Sequence, residues 1–222
     1  MSPLEIVSVN VGEPKDIRLG EHHSLSGIDK RAVAGRVSVG ALGLHGDHVL
    51  NTKHHGGPDQ AVYLYSLEDY DAFAELLGEV PPAGTFGENL TVRGLESAGV
   101  RVGTRLSLDE PGLGGESGLL LEVTAPRIPC ATFAAHMNDA GFVKAFRKMR
   151  RPGLYARVLH PGTIGAGDRL GVQPGPDGAP TLGEEFELFY DRAPSREALE
   201  RSLAAPIAVR ARAERLERLG KM

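Results

Sequence analysis

The chain has 222 residues, enough for one large domain or one domain with a small appendage. Its 25 Lys and Arg against 29 Asp and Glu give a net charge of −4, which supplies no basic field for a phosphate backbone and excludes nucleic acid as a first expectation. The 29 Gly and 15 Pro favour short strands joined by tight turns over a helical bundle, and 41% hydrophobic residues is too many for a disordered chain.

Residues 4–11 alternate Leu4, Ile6, Val9 and Val11 with Glu5, Ser8 and Asn10, slipping once at Val7, which predicts a half-buried strand. Residues 31–39 repeat the pattern through Val33, Val37 and Val39, and the run AVYLY at 61–65 predicts a buried strand. The period then changes. Ser66, with Asp69 three residues on, caps a predicted helix through Leu67, Tyr70, Phe73, Ala74 and Leu77 that stops at Gly78. Turn signals from 81 to 118 separate short strands expected at 89–92, 100–102 and 105–108. A strand at 119–123 ends before Pro126, helices follow at 130–136 and at 139–148 with Asp139 as N-cap, and strands return at 154–159 and 168–172. The expected fold is mainly β, a β-barrel with helices over residues 1–174. A Pro- and Gly-rich linker then leads to a small α-helical C-terminal extension at 181–222, with helices at 195–203 and 208–219. About forty residues bury little alone, so this tail is expected to pack on the barrel or on another subunit.

Cys130 is the single cysteine, which rules out an intrachain disulfide and a four-cysteine zinc or iron–sulfur centre. No stretch approaches the ~20 apolar residues of a membrane span. The first residues lack the basic and apolar regions of a signal peptide, so the expectation is a cytoplasmic protein with no membrane partner. Two prolines flank Arg127 in PRIPC at 126–130, and Cys130 stands at a predicted helix start, where a guanidinium would prepare a thiolate for metal ligation or nucleophilic work. A buried, inert cysteine is the other reading. His45, His48, His54 and His55 crowd a Gly-rich segment that reads either as a metal or anion loop or as a solvated turn. Arg151 in RPG at 151–153 suits a phosphate-bearing ligand or an exposed basic turn.

Taken in order, GRV at 35–37, GLHGD at 43–47, HGGPDQAVY at 55–63, FGENL at 86–90, PRIPC at 126–130 and RPGLYARVL at 151–159 resemble the MOSC family, the molybdenum cofactor sulfurase C-terminal domain. Within it they resemble the stand-alone YiiM-like subgroup, which carries a three-helix C-terminal extension. The resemblance spans about residues 4–172. It implies a pyruvate-kinase-insert-like β-barrel that binds molybdenum cofactor (Mo-molybdopterin), with Cys130 as metal ligand and catalytic residue. Arg36, Arg127 and Arg151 would neutralise the pterin phosphate, and His55, Gly56, Gly57 and Asn89 would shape the pocket. The chain departs from the subgroup at Val49-Leu50-Asn51, where Gln-Ala-Asp is usual, and at Thr132, where lysine is common. Those departures bear on substrate preference and anion contacts.

The activity so implied is reduction of small N-hydroxylated compounds such as hydroxylaminopurines. No Gly-x-Gly-x-x-Gly turn and no spare cysteines are present, so electrons are expected from a separate redox protein. The resemblance fixes no oligomeric state. A sulfur carrier holding a persulfide on Cys130 is a competing reading, and a divalent-metal hydrolase built on the His45–His55 stretch is a third.

Overall fold

The computed structural model describes residues 3–52, 55–108 and 118–222. Its strands are β1 (Leu4–Gly12), β2 (Lys15–Leu19), β3 (His22–Ser26), β4 (Lys30–Ala32), β5 (Val37–Gly40), β6 (Gly43–Leu44), β7 (Val62–Ser66), β8 (Leu90–Arg93), β9 (Arg105–Ser107), β10 (Leu120–Ala125), β11 (Leu154–His160), β12 (Gly162–Ile164) and β13 (Arg169–Gln173). Its helices are α1 (Leu67–Leu77), α2 (Ala131–His136), α3 (Phe142–Met149), α4 (Leu182–Tyr190), α5 (Arg196–Ala204) and α6 (Val209–Gly220).

Seven strands pair in the order β13-β9-β10-β11-β7-β8-β1, and β1 returns to β13 with Leu4 opposite Leu170, closing a barrel. The β7–β8 pair is parallel. A parallel neighbour needs a crossover, and α1 supplies it. Ser66 accepts a hydrogen bond from the Asp69 N–H at the start of α1, and Gly78 closes it at φ 81°, as the sequence predicts.

The uninterrupted burial of β7 follows from having both faces covered. Val62 and Leu64 point into the barrel with Leu4, Leu90, Val123 and Leu154, while Tyr63 and Tyr65 join an outer aromatic layer with Tyr70, Phe86, Phe133 and Phe146. That layer anchors the loop between β10 and α2, so the barrel fixes Arg127 and Cys130 through aromatic packing. Outside the barrel, β2 and β3 form a separate hairpin, a feature absent from the sequence reading.

Three expectations are corrected. Residues 31–39 are two strands: β4 pairs with β1 and β5 with β12 and β6, separated by a turn at Gly35 with φ 78°. Residues 100–102 form no strand. Val100 ends a short 3-10 turn and Arg101 makes one isolated bridge to Thr181. Asp139 is not the N-cap of α3, which starts after Gly141; its carboxylate accepts the Gly141 N–H at 2.7 Å in the preceding turn.

The C-terminal segment packs on the barrel. Leu182, Ala205 and Ile207 join the barrel cluster, and Phe186 and Ala208 the aromatic one. Its first helix, α4, opens with a capping box in which Thr181 and Glu184 exchange hydrogen bonds. The 173–180 segment is bound in place: the Val102 N–H donates to the Pro180 carbonyl at 2.9 Å and the Gly175 N–H to Thr104 Oγ1 at 3.1 Å.

Candidate active site

The prolines at 126 and 129 bracket a loop whose buried Arg127 turns inward against the aromatic layer. Its guanidinium lies 4.1 Å from the Phe133 ring centroid and 5.1 Å from that of Tyr63. Nη1 donates to the Phe86 carbonyl, and Nε has no hydrogen-bond partner among the described residues. The turn carrying Phe86 is itself braced. Fully buried Glu88 accepts from Tyr70 Oη at 2.8 Å, the Gly84 N–H at 2.6 Å and Thr91 Oγ1 at 2.7 Å, which gives FGENL its structural role.

Cys130 follows at the start of α2, partly exposed. Burial pushes its thiol up, but the adjacent His55 imidazole and the Arg127 guanidinium outweigh that effect and bring it down to about 6. At pH 7 the sulfur is therefore chiefly thiolate, the form that ligates metals and attacks electrophiles.

The thiol borders a cavity of about 700 Å³, its open mouth included, to which His55, Arg127, Lys30, His48, Asn51 and Thr132 contribute. The β2–β3 hairpin supplies an apolar lip through Ile17, Leu19 and Leu25, opposed by Val49 and Leu50. Lys30 forms a buried ion pair with Asp47 Oδ1. Burial lowers the Lys30 pKa, and Asp47 works against that. Asp47 in turn accepts the Gly12 N–H at 2.8 Å and Asn89 Nδ2 at 2.8 Å. Histidine 48 directs Nδ1 to the Gly12 carbonyl at 3.1 Å.

Of the residues implied by the sequence, Cys130, His55 and Arg127 come together at this cavity. Asn89 lies one layer below, holding Asp47 and accepting the Tyr63 N–H at 3.1 Å. Gly56 and Gly57 line a separate hollow beside Asp59 and Arg210. Gly56, at φ 66°, packs where a Cβ would lie 2.9 Å from Val49 Cγ1, so it shapes the lip from behind.

Two arginines stand elsewhere. Arg36 spans β5 and β12 toward Asp168, with Nη1 3.0 Å from Oδ1 and Nε 2.9 Å from Thr163 Oγ1. Arg151 binds fully buried Asp69 at 3.2 Å and Glu96 at 2.8 Å. Each is committed to a carboxylate inside the fold and lines neither the thiol cavity nor its neighbours. The cationic residue the sequence reading overlooked is Lys30, hidden in the charge run Asp29-Lys30-Arg31. Of the four clustered histidines, His45 is exposed, and His54 falls outside the described residues. Among the described residues no group of three His, Cys, Asp or Glu side chains forms a metal cluster, and no helix is long and apolar enough to cross a membrane.

Known proteins resemble this chain in sequence and in fold. Protein YflK of Bacillus subtilis is 29% identical over 199 residues, covering 90% of this chain and 86% of that protein. A Gibberella moniliformis protein named Reductase is 29% identical over 176 residues, 77% of this chain but 29% of its own length. The crystal structure of YiiM from Geobacillus stearothermophilus superposes with a TM-score of 0.78 at 28% identity, covering 98% of this chain and all of that one. The MOSC domain description matches residues 51–171, more than half of the chain, a span that contains the barrel strands from β7 to β11, His55, Arg127 and Cys130. With five of the seven barrel strands and the thiol loop inside that match, the chain belongs to the MOSC domain family.

Proposed function

We propose that this protein is a molybdenum-cofactor-dependent reductase of N-hydroxylated compounds, with Cys130 as the thiolate ligand of the metal. The observation that carries the reading is a thiolate at the edge of a cavity that the buried Arg127 guanidinium also lines. A soft anionic sulfur is a ligand type that suits molybdenum chemistry better than a hydroxyl does. The residues also fit a phosphate-bearing pterin, because the buried Arg127 keeps an Nε–H with no partner among the described residues. The similarity to a protein named Reductase supports the reaction class.

When bound, the cofactor supplies the two-electron redox step. The overall change is R–NHOH plus two electrons and two protons to R–NH2 plus water, which breaks the N–O bond. Within the chain, His55 and Arg127 keep Cys130 ionised, Arg127 balances the anionic charge of the ligand, and the apolar lip limits water access. The electrons come from a separate redox protein, because the chain's single thiol is the metal ligand.

The experiment is metal and pterin analysis of protein expressed with molybdate. Wild type should carry about one molybdenum per chain, and Cys130→Ser should carry almost none while keeping its circular dichroism spectrum. Full molybdenum in Cys130→Ser, or an added sulfur on Cys130 by mass spectrometry with no metal in wild type, would overturn the reading, the second result in favour of a persulfide carrier.

A further inference from the structure

His55 meets the Cys130 thiol from a glycine-rich stretch of chain, and the C-terminal helix α6 grips that stretch on both sides of it. We propose that Arg210, on the first turn of α6, is a positioning residue that holds His55 against Cys130, so that the C-terminal extension completes the site as well as covering the barrel. The inference rests on the reading of Cys130 as the working group of the site, and adds to it the part played by α6.

The geometry is a clamp. Before His55, the Thr52 carbonyl accepts a hydrogen bond from Arg210 Nη2 at 2.7 Å. After it, Gln60 Oε1 lies 3.5 Å from Arg210 Nη1, and Asp59 Oδ2 accepts the Val209 N–H at 2.7 Å. One guanidinium thus ties chain on both sides of His55, a use of its fork of donors that a single ammonium would not match. The Asp59 carboxylate also satisfies an N–H left open at the start of α6, whose N-cap, Ala208, offers no side-chain acceptor. The clamp is fixed to the barrel through Arg157 on β11, which binds Asp59 Oδ1 at 3.1 Å and donates to the Pro206 and Ile207 carbonyls at 3.1 and 3.2 Å. The turn after His55 and the chain entering α6 therefore share one barrel arginine.

The stretch needs such a hold. Gly56 and Gly57 follow His55 directly at φ 66° and 80°, where glycine leaves the backbone freest. The contact of His55 with the thiol is then only as well defined as the ends of the stretch, and Arg210 bonds to both. Arg210, Gln60, His55 and Cys130 border one cavity, between the β10–α2 loop and helices α4 and α6. Arg210 is itself exposed, so its bonds add little to global stability and its removal leaves the core intact.

The test uses full-length protein grown without added molybdate, so that no metal covers the thiol. In Arg210→Ala, hydrogen exchange of the peptide covering residues 55–61 should quicken about fivefold or more, with the melting temperature within about 2 °C of wild type. Alkylation of Cys130 by iodoacetamide at about pH 6.5 should slow about twofold. Arg212→Ala removes the same charge from α6 at a position whose guanidinium donates to the Ala205 carbonyl at 2.8 Å, and should leave both readouts as in wild type. Because Arg210 acts through His55, the double variant carrying His55→Gln and Arg210→Ala should be alkylated no more slowly than His55→Gln alone. Unchanged exchange at 55–61 in Arg210→Ala, an equal slowing in Arg212→Ala, or single-variant effects that multiply in the double variant would overturn the assignment. Molybdenum content plays no part in these readouts, so a failed clamp leaves the reductase reading standing, and a chain that takes up no molybdenum leaves the clamp standing.

Discussion

Replacing His55 by glutamine should raise the pKa of Cys130, and the single cysteine makes the shift readable without interference. In the folded protein the thiol lies at about 6 instead of near 9.0. Burial raises it, while the His55 imidazole and the Arg127 guanidinium lower it by more. Loss of the imidazole leaves Arg127 to oppose the burial alone, and a rise of about one unit or more is expected. At pH 6.5 the thiolate fraction would then fall from about three quarters to about one quarter, a roughly threefold slower reaction with iodoacetamide. The sign is fixed by the chemistry: wild-type reactivity is full above pH 7 and is lost as pH falls through about 6, whereas the variant loses it at higher pH. Above about pH 9.5 both thiols are ionised and the rates should converge to within about twofold. The assay is the alkylation rate across pH 4.5–10, followed by mass spectrometry at roughly half-unit steps. A wild-type midpoint near the ordinary thiol value, or a midpoint unmoved in His55→Gln, would refute the electrostatic account of the site.

Arg151→Met should lower stability by about 3 kcal/mol through the unpaired, fully buried Asp69, yet leave the Cys130 titration midpoint and molybdenum content as in wild type; a selective loss of molybdenum would return Arg151 to the cofactor site. Gly56→Val should reduce molybdenum content more than Gly57→Val or His48→Ala, because its Cβ meets Val49 on the cavity lip while the space at Gly57 is open; metal analysis of the three purified variants decides this, and equal occupancy would sink it. Purified protein given an N-hydroxylated purine and NADH or NADPH should not turn over until a flavoprotein reductase and electron carrier are added, as followed by product chromatography; sustained turnover without them would dispose of the separate-donor requirement.

The fold was legible where periodicity and burial agree. Strand β1, helix α1 and the continuous apolar run of β7 all leave local signals, since each is fixed by alternation, a cap or two-sided burial. The β2–β3 hairpin left none, because its strands are mostly exposed and carry Lys15, Asp16, Arg18, His22 and His23. Helix α4 was announced by Thr181 and Glu184 at capping-box spacing, a signal masked by the Pro- and Gly-rich stretch before it. Closure of the barrel depends on pairing residue 4 with residue 170, and no local pattern encodes a contact at that separation.

The site divides along the same line. Arg127 and Cys130 were legible because prolines, a guanidinium and a thiol lie within five residues. Arg36 and Arg151 look the same in sequence as anion binders, and only the fold reveals Asp168 and Asp69 opposite them. Lys30 is the reverse case, indistinguishable from a solvated charge until β4 places it against Asp47 beside the cavity.

This separation has a chemical consequence. Arg127 is held by the Phe86 carbonyl and the Phe133 ring, and the Phe86 turn is held by Glu88, so its charge is aimed before any ligand arrives and costs no reorganisation on binding. His55 comes from the loop that precedes β7, where its N–H donates to the Asn51 carbonyl at 3.0 Å and its imidazole meets the Cys130 thiol. The thiolate is thus maintained by one braced partner and one loop-borne partner, and His55 borders the cavity beside the sulfur itself.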